Sequence, residues 1–388
     1  MKNSSLLPII YLTGFFGFAS QNLLAPVMPL YAAKLGASVA EVGFIVALLA
    51  YGTALLMIPF GLLSDRFGRR TYFIIGFVIL ALSPVLYIWT TDPVQLSIVR
   101  VLNGIGAAAQ IPTTIATVLD LAPEEQRGRT LGWYTTATQC GLMIGPVLGG
   151  YILSSLGFTA AFLGSSILAF MGLAIILWQF NRIPRREHAE FSANQSWNWL
   201  KQRNLYGGLL APLTLAVGVG TLGAFIPLYG AGFGINATGA GLIITLSFAS
   251  SAVLRLPAGT FSDKVGRQPL IMGGLVLGAI SIALVSQFHT LILLSIIALC
   301  FGAAQGIIQP SGMALTADLS PKKAKGLGMG MFTTAFQVGY AVGPTAMGAV
   351  AEMSNFETMF IACGLSLAFG LLIIFILFRT SRKAVPVV

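Results

Sequence analysis

Acidic and basic side chains recur at fixed spacing in a ten-residue segment that the chain contains twice. The first copy spans 61–70, and the second spans 259–268, 198 positions further along. Their shared residues are Gly61, Asp65, Gly68 and Arg69 in the first copy and Gly259, Asp263, Gly266 and Arg267 in the second. Glycines at these positions permit a tight turn and close helix approach, and both aspartates fall at predicted helix ends.

The chemistry that these segments predict is ion pairing. We expect Arg69 to pair with Asp120 on a neighbouring helix, and Arg267 to repeat the arrangement with Asp263 and Asp318. Paired charges at a membrane surface can hold one conformation of a protein. We call these residues the conformational latch, whose members are Gly61, Asp65, Arg66, Gly68, Arg69, Asp120, Asp263, Gly266, Arg267 and Asp318.

A second group of polar residues lies inside apolar stretches, where a polar side chain needs a partner or water. Arg100 heads a polar row with Asn103 and Gln110 at helical spacing. We predict a substrate cavity lined by Gln21, Asn22, Asn103, Gln110, Gln139, Gln305, Gln309, Gln337 and Arg255. Each amide could instead serve a hydrogen bond between helices, and Arg255 could extend to the membrane surface.

The twelve acidic residues all fall at the ends of apolar stretches or in loops. Proton coupling through a deep cavity usually requires an Asp, Glu or His that changes its charge, and arginine does not lose its proton at ordinary pH. The candidates for coupling are therefore Glu41 and Asp120, the latter acting with Arg100.

The elements that must position these residues are membrane spans. The chain is 56% hydrophobic and 9% charged, and its mean hydropathy is +0.86. Twelve apolar stretches are near or above the ~20 residues that cross the hydrocarbon core as a helix. The composition predicts an all-α integral membrane protein with twelve transmembrane helices.

The distribution of basic residues predicts the orientation. If Met1 lies in the cytoplasm, all Lys and Arg residues except Lys34, Arg100 and Arg255 fall in cytoplasmic segments. This is the pattern of the positive-inside rule, so we expect both termini to be cytoplasmic. It also explains the net charge of +10 without nucleic acid as a partner.

The duplication predicts two pseudo-symmetric six-helix bundles. A repeat of half the chain length indicates two similar domains with a ligand cleft between them. The predicted domains are residues 1–181 and 205–388, joined by a cytoplasmic linker at 182–204.

The first loop resembles the signature G-x-L-x-D-R-x-G-R-R/K of the major facilitator superfamily at every defined position, and the span around Arg100 resembles the family's span 4 motif. The segment from Gly141 to Gly150 resembles the G-x-x-x-G-P-x-x-G-G motif of the twelve-span drug:proton antiporter branch, through Gly141, Gly145, Pro146, Gly149 and Gly150. The resemblance implies the major facilitator fold and proton antiport.

The predicted function is export of small amphipathic molecules by alternating access, in the cell membrane. The alternatives are a carrier of sugars or other neutral polar solutes and a lysolipid translocator. We expect no catalytic residues, no metal and no cofactor, because no motif for these appears in the chain. The expected partners are a small-molecule substrate, protons as a candidate coupling ion and membrane lipids, and the expected state is a monomer.

Overall fold

The computed structural model describes residues 6–123, 126–178, 199–200, 202–321 and 325–381. Within these ranges the chain is helical and contains no β-strand. It forms two compact units. The first contains Met1–Glu190 and Ile226–Thr245, and the second contains Phe191–Phe225 and Leu246–Val388. The predicted linker at 182–204 lies almost wholly outside the described residues.

The helices follow the order of the apolar stretches. Their bounds are α1 Leu7–Leu23, α2 Val27–Lys34, α3 Val39–Phe67, α4 Arg69–Tyr87, α5 Pro93–Leu121, α6 Arg127–Trp178, α7 Arg203–Ala231, α8 Ala237–Val265, α9 Arg267–Leu284, α10 Leu291–Leu319, α11 Lys325–Met353 and α12 Phe356–Ser381. The end of α7 and the beginning of α8 belong to the first unit.

The described helices include ten that are long and apolar enough to cross a membrane. Helices α1 and α2 count together as one of the ten, α6 counts once, and α11 is not among them. The 52 residues of α6 are interrupted at Gly157, whose backbone φ of 85° is outside the helical range. Most L-amino acids rarely adopt this conformation, so glycine allows the chain to turn there.

Local signals in the sequence explain where several helices begin. Asp92 caps α5 through its Oδ1, which accepts hydrogen bonds from the backbone N–H groups of Val94 and Gln95 at 2.8 and 2.9 Å. Pro93 follows at the first helical position, where its missing N–H costs nothing. Thr290 caps α10 in the same way.

The core of the first unit contains hydroxyl contacts as well as apolar side chains. Ser20 of α1 donates to the Ser165 carbonyl oxygen of α6 at 2.7 Å, and Ser165 donates to the Ser20 carbonyl oxygen at 2.9 Å. These two hydrogen bonds give both buried hydroxyl groups a partner, which apolar side chains could not provide. They join α1 to the part of α6 that follows Gly157.

Candidate functional site

The first copy of the charged loop brings three latch residues together. Arg69 Nη2 lies 3.1 Å from Asp65 Oδ1, and Arg69 Nη1 lies 3.0 Å from Asp120 Oδ2. Gly68 makes the turn between α3 and α4, and its φ of 98° favours glycine. The side chains of Arg69 and Asp120 are only 13% and 10% exposed, so solvent screens this pair poorly.

The second copy repeats the geometry in a more exposed setting. Arg267 Nη2 lies 3.4 Å from Asp263 Oδ1, and Arg267 Nε lies 2.7 Å from Asp318 Oδ2. Gly266 has the same φ of 98° as its counterpart. The side chain of Asp318 is 56% exposed, however, and exposed ion pairs contribute little to stability. The two copies share a geometry but differ in burial.

The two remaining latch residues, Gly61 and Arg66, lie on α3 in the first copy. Arg66 lies over the ring of Phe67, with its guanidinium carbon 5.4 Å from the ring centroid. Gly61 faces α5, where a Cβ added to it would lie 3.9 Å from the Pro112 side chain. In the part of the chain that the structure describes, neither residue takes part in the ion pairs of Arg69.

The polar row on α5 is buried inside the first unit. The Arg100 residue is 6% exposed, and its Nε and Nη1 atoms have no hydrogen-bond partner among the described residues. The Tyr87 hydroxyl faces the guanidinium. A buried guanidinium without a carboxylate is costly, because its lost hydration is not replaced. It is therefore a strong attractor for water or for a polar ligand.

In the described part of the chain, the two predicted cavity amides of α5 are each hydrogen-bonded through the nitrogen only. Asn103 Nδ2 donates to Ser83 Oγ of α4 at 2.6 Å, which is a hydrogen bond between helices. Gln110 Nε2 donates to Thr114 Oγ1 on its own helix at 3.3 Å, while the Gln110 Oε1 atom is buried without a partner. The Asn103 Oδ1 atom is likewise buried without a partner among the described residues, so both amides retain an unused acceptor.

The other predicted cavity residues of the first unit lie on α1 and α6. Gln21 and Asn22 donate to the backbone oxygens of Gly17 and Phe18 on their own helix, at 3.2 and 2.9 Å. Gln139 is buried, and its Nε2 atom has no partner among the described residues.

In the second unit, Arg255 turns toward α10 and donates through Nη2 to Gln309 Oε1. Its Nε atom is buried without a partner, as is the Oε1 atom of Gln305 one turn before Gln309. Gln337 is half-buried on α11. This hydrogen bond lies within the second unit, and a role of Arg255 in the cavity stays a prediction.

The glycines of the α6 motif form a surface on which another backbone lies. A Cβ added to Gly141 would lie 2.6 Å from the Phe15 carbonyl oxygen, and one added to Gly145 would lie 2.8 Å from the Leu23 nitrogen. Gly149 faces α1 in the same way. The spacing of four residues places all three on one helix face. Any larger side chain would separate α6 from α1.

The motif also contacts the beginning of α8, which belongs to the first unit. A Cβ at Gly150 would meet the Ala237 carbonyl oxygen, and a Cβ at Gly241 would meet the Pro146 carbonyl oxygen. Gly145 and Gly149 thus pack against α1, while Gly150, on another face of α6, packs against α8. The motif therefore fixes both contacts at backbone distance.

We expect Gly145→Ala to destabilise the protein by about 1–3 kcal/mol, because the added methyl group overlaps the α1 backbone. Gly132→Ala on the same helix is the matched control, since nothing lies within 4 Å of a Cβ there. That substitution should leave stability unchanged or raise it by up to ~1 kcal/mol. Thermal unfolding in detergent measures both, and equal melting temperatures for the two variants would contradict the packing argument.

One residue that the sequence analysis did not identify joins the motif to α8. Thr245 Oγ1 donates to the Met143 carbonyl oxygen at 2.7 Å and accepts from the Val147 N–H at 3.2 Å. These two backbone groups pair with each other in an uninterrupted helix. Pro146, beside them, weakens the helix at this point. No signal in the sequence marks Thr245, whose counterpart in the first half is Ala47.

Glu41 has a structural role that its sequence context could have revealed. Its Oε2 accepts from the Ser38 N–H at 2.8 Å, while Ser38 Oγ accepts from the Glu41 N–H at 3.3 Å. This reciprocal arrangement is a capping box at the start of α3, and Ser-x-x-Glu is its sequence signature. Its role in proton coupling stays a prediction.

A family model described as Major Facilitator Superfamily matches the chain twice, over residues 10–230 and 208–387. The chain belongs to this superfamily. It is therefore a multi-pass membrane transporter rather than an enzyme, and the family predicted from the charged loop is confirmed.

Two relatives align with nearly the full length of this chain, and one of them is a drug exporter. An uncharacterised MFS-type transporter of Methanocaldococcus jannaschii is 26% identical over 361 residues, which cover 91% of this chain and 92% of that protein. The multi-drug resistance efflux pump PmrA of Streptococcus pneumoniae serotype 4 is 26% identical over 387 residues, which cover 97% of each chain. The resemblance to drug-exporting transporters is thus confirmed at modest identity.

Among solved structures, a bacterial homologue of the human lysosomal transporter Spinster, crystallised in an inward-facing and occupied conformation, aligns with a TM-score of 0.81. The alignment covers 98% of this chain and 97% of that one, at 15% sequence identity. It establishes a major facilitator fold for this transporter.

Proposed function

We propose that this transporter exports small amphipathic molecules across the cell membrane by alternating access, driven by proton antiport. Twelve spans would carry this cycle. Helix α6, broken at Gly157, supplies two of them, and α11 supplies one in addition to the remaining apolar helices. The interpretation agrees with the repeated sequence motifs, which place six spans in each half.

The observation that carries the proposal is the set of buried polar atoms without partners. Among Arg100 and the residues predicted to line the cavity, these atoms belong to Arg100, Asn103, Gln110 and Gln139 in the first unit and to Arg255 and Gln305 in the second. Buried polar groups in proteins almost always have a partner. Water or the polar part of a bound amphipathic molecule would satisfy them.

The direction of transport rests on the α6 motif and on the relatives. PmrA is an efflux pump by name, and it aligns with this chain over nearly its whole length. The glycines of α6 contact α1 and the beginning of α8 at backbone distance, and Pro146 lies between these contacts. A closely packed helix that can bend at a proline suits a protein that changes shape during export.

Coupling to protons would use the charged residues at the ends of the spans. Asp120 is the strongest candidate, because its side chain is only 10% exposed and its ion pair with Arg69 depends on its charge. Its protonation would weaken that pair and release the latch. Glu41 and Arg100 remain the other candidates. Cytoplasmic termini, a monomeric state and the domain limits 1–181 and 205–388 complete the proposal.

Transport in proteoliposomes tests the substrate class. We expect an uncharged amphipathic dye to move at least about tenfold faster through reconstituted protein than through empty liposomes, and we expect a neutral sugar and a lysolipid to show no acceleration. The sugar and the lysolipid represent the two alternative substrate classes. Acceleration of the sugar alone, with no pH gradient imposed, would overturn the proposed function.

A further inference from the structure

An apolar groove of about 620 Å³ opens in the second unit beside the second charged loop. Its walls come from α8, α9 and α10, and they include Leu254, Ala258, Phe261, Leu270, Gly273 and Ile307. The volume lies within the ~300–1,000 Å³ typical of small-molecule sites. Lys264 stands at the end of α8 and is the one charged residue in the lining.

The groove exists where the two halves of the chain differ in side-chain size. At the positions equivalent to Ala258 and Leu270, the first half has Phe60 and Tyr72, whose ring centroids lie 5.8 Å apart. The position equivalent to Gly273 is Ile75. Three positions of the groove lining therefore carry smaller side chains than their counterparts in the first half.

The charge at the groove is also arranged differently in the two halves. The counterpart of Lys264 is Arg66, which lies over the ring of Phe67. Lys264 is followed instead by Val265, which offers no aromatic face. The two nearby acids, Asp263 and Asp318, are paired with Arg267. The exposed ammonium of Lys264 is therefore available to an anion.

We propose that this groove binds one anionic diacyl phospholipid, with an acyl chain against α8 and α9 and the phosphate at Lys264. Hydrocarbon suits the apolar lining, and a lysine at the end of a membrane span attracts anionic headgroups. The lipid is a bound partner of the second half, and the proposal is independent of what the protein transports. At the equivalent positions the first half carries Phe60 and Tyr72, whose rings lie next to each other.

Native mass spectrometry of the purified full-length protein tests this with palmitoyl-oleoyl phosphatidylglycerol and the matching phosphatidylcholine at equal concentration. We expect the unsubstituted protein to retain the anionic lipid about fivefold better, as one favourable lysine contact implies. Lys264→Gln should reduce that preference to about one. Ala258→Phe, which restores the first-half residue, should lower retention of phosphatidylglycerol about tenfold by excluding several methylene groups.

Leu256→Phe is the matched control, because it adds an aromatic ring to an exposed α8 position outside the groove. It should retain phosphatidylglycerol like the unsubstituted protein. Gly273→Ile decides the matter if Ala258→Phe does not fold, since nothing lies within 4 Å of a Cβ at that exposed position. Equal retention of both lipids by the unsubstituted protein, or undiminished retention by the folded groove variants, would overturn the proposal.

Discussion

We expect Arg100→Met to reduce transport by about 10–100-fold while leaving the protein at least as stable as the unsubstituted form. The guanidinium is buried with two nitrogen atoms unpaired, so methionine removes an unfavourable charge while it keeps much of the side-chain volume. If transport relies on this charge, the substitution removes a hydrogen bond to a charged group, and such a bond typically contributes about 1.5–3 kcal/mol. Dye transport and thermal unfolding, measured on the same preparation, give both values.

Arg100→Lys is the control for the position of the charge. A lysine keeps the positive charge but has no planar fork of donors, so we expect partial transport. If Arg100→Met transports dye at the unsubstituted rate, or if it unfolds at a much lower temperature, Arg100 has a structural role instead. A loss of stability together with transport would point to a packing contact with Tyr87.

We expect Asp120→Asn to reduce transport about tenfold, whereas Asp318→Asn, its counterpart in the second half, changes transport less than about threefold. The two substitutions remove equivalent charges, but Asp120 is 10% exposed and Asp318 is 56% exposed. Breaking a buried ion pair is costly, while an exposed pair contributes about 0–1 kcal/mol. Initial rates of dye transport in proteoliposomes, normalised to reconstituted protein, provide the comparison.

The melting temperatures of the two variants should follow the same order. The lower value is expected for Asp120→Asn, because Arg69 keeps only the more exposed Asp65 as a partner. Equal effects of the two variants on transport would mean that burial of the first ion pair does not matter. The reverse order would assign the latch to the second copy.

The ion pairs of the latch show what the sequence could predict. The register of the duplication placed Arg69 with Asp120 and Arg267 with Asp318, and in the structure the charged atoms of each pair lie within 3.0 Å of each other. The prediction was possible because a repeated loop keeps its neighbours in both halves. The pairing within each copy, Asp65 with Arg69, was also available from a spacing of four residues on a helix.

The contacts that the sequence did not predict depend on tertiary structure or on differences between the halves. Thr245 meets the α6 backbone only because α8 begins against the motif, and a single threonine carries no periodic signal. The groove beside Lys264 becomes apparent only from the surroundings of Ala258 and Phe60 in the structure. The burial of Asp120 and the exposure of Asp318 follow from neighbours that the shared motif does not encode.

The most direct test of the proposed mechanism is dye accumulation in proteoliposomes whose interior is made more acidic than the bath. Proton antiport predicts that outward proton flow drives dye inward above its equilibrium level, and that an ionophore which abolishes the pH gradient returns the dye to that level. Asp120→Asn should accumulate about tenfold less. Dye movement that reaches the same level with and without the gradient would contradict proton antiport.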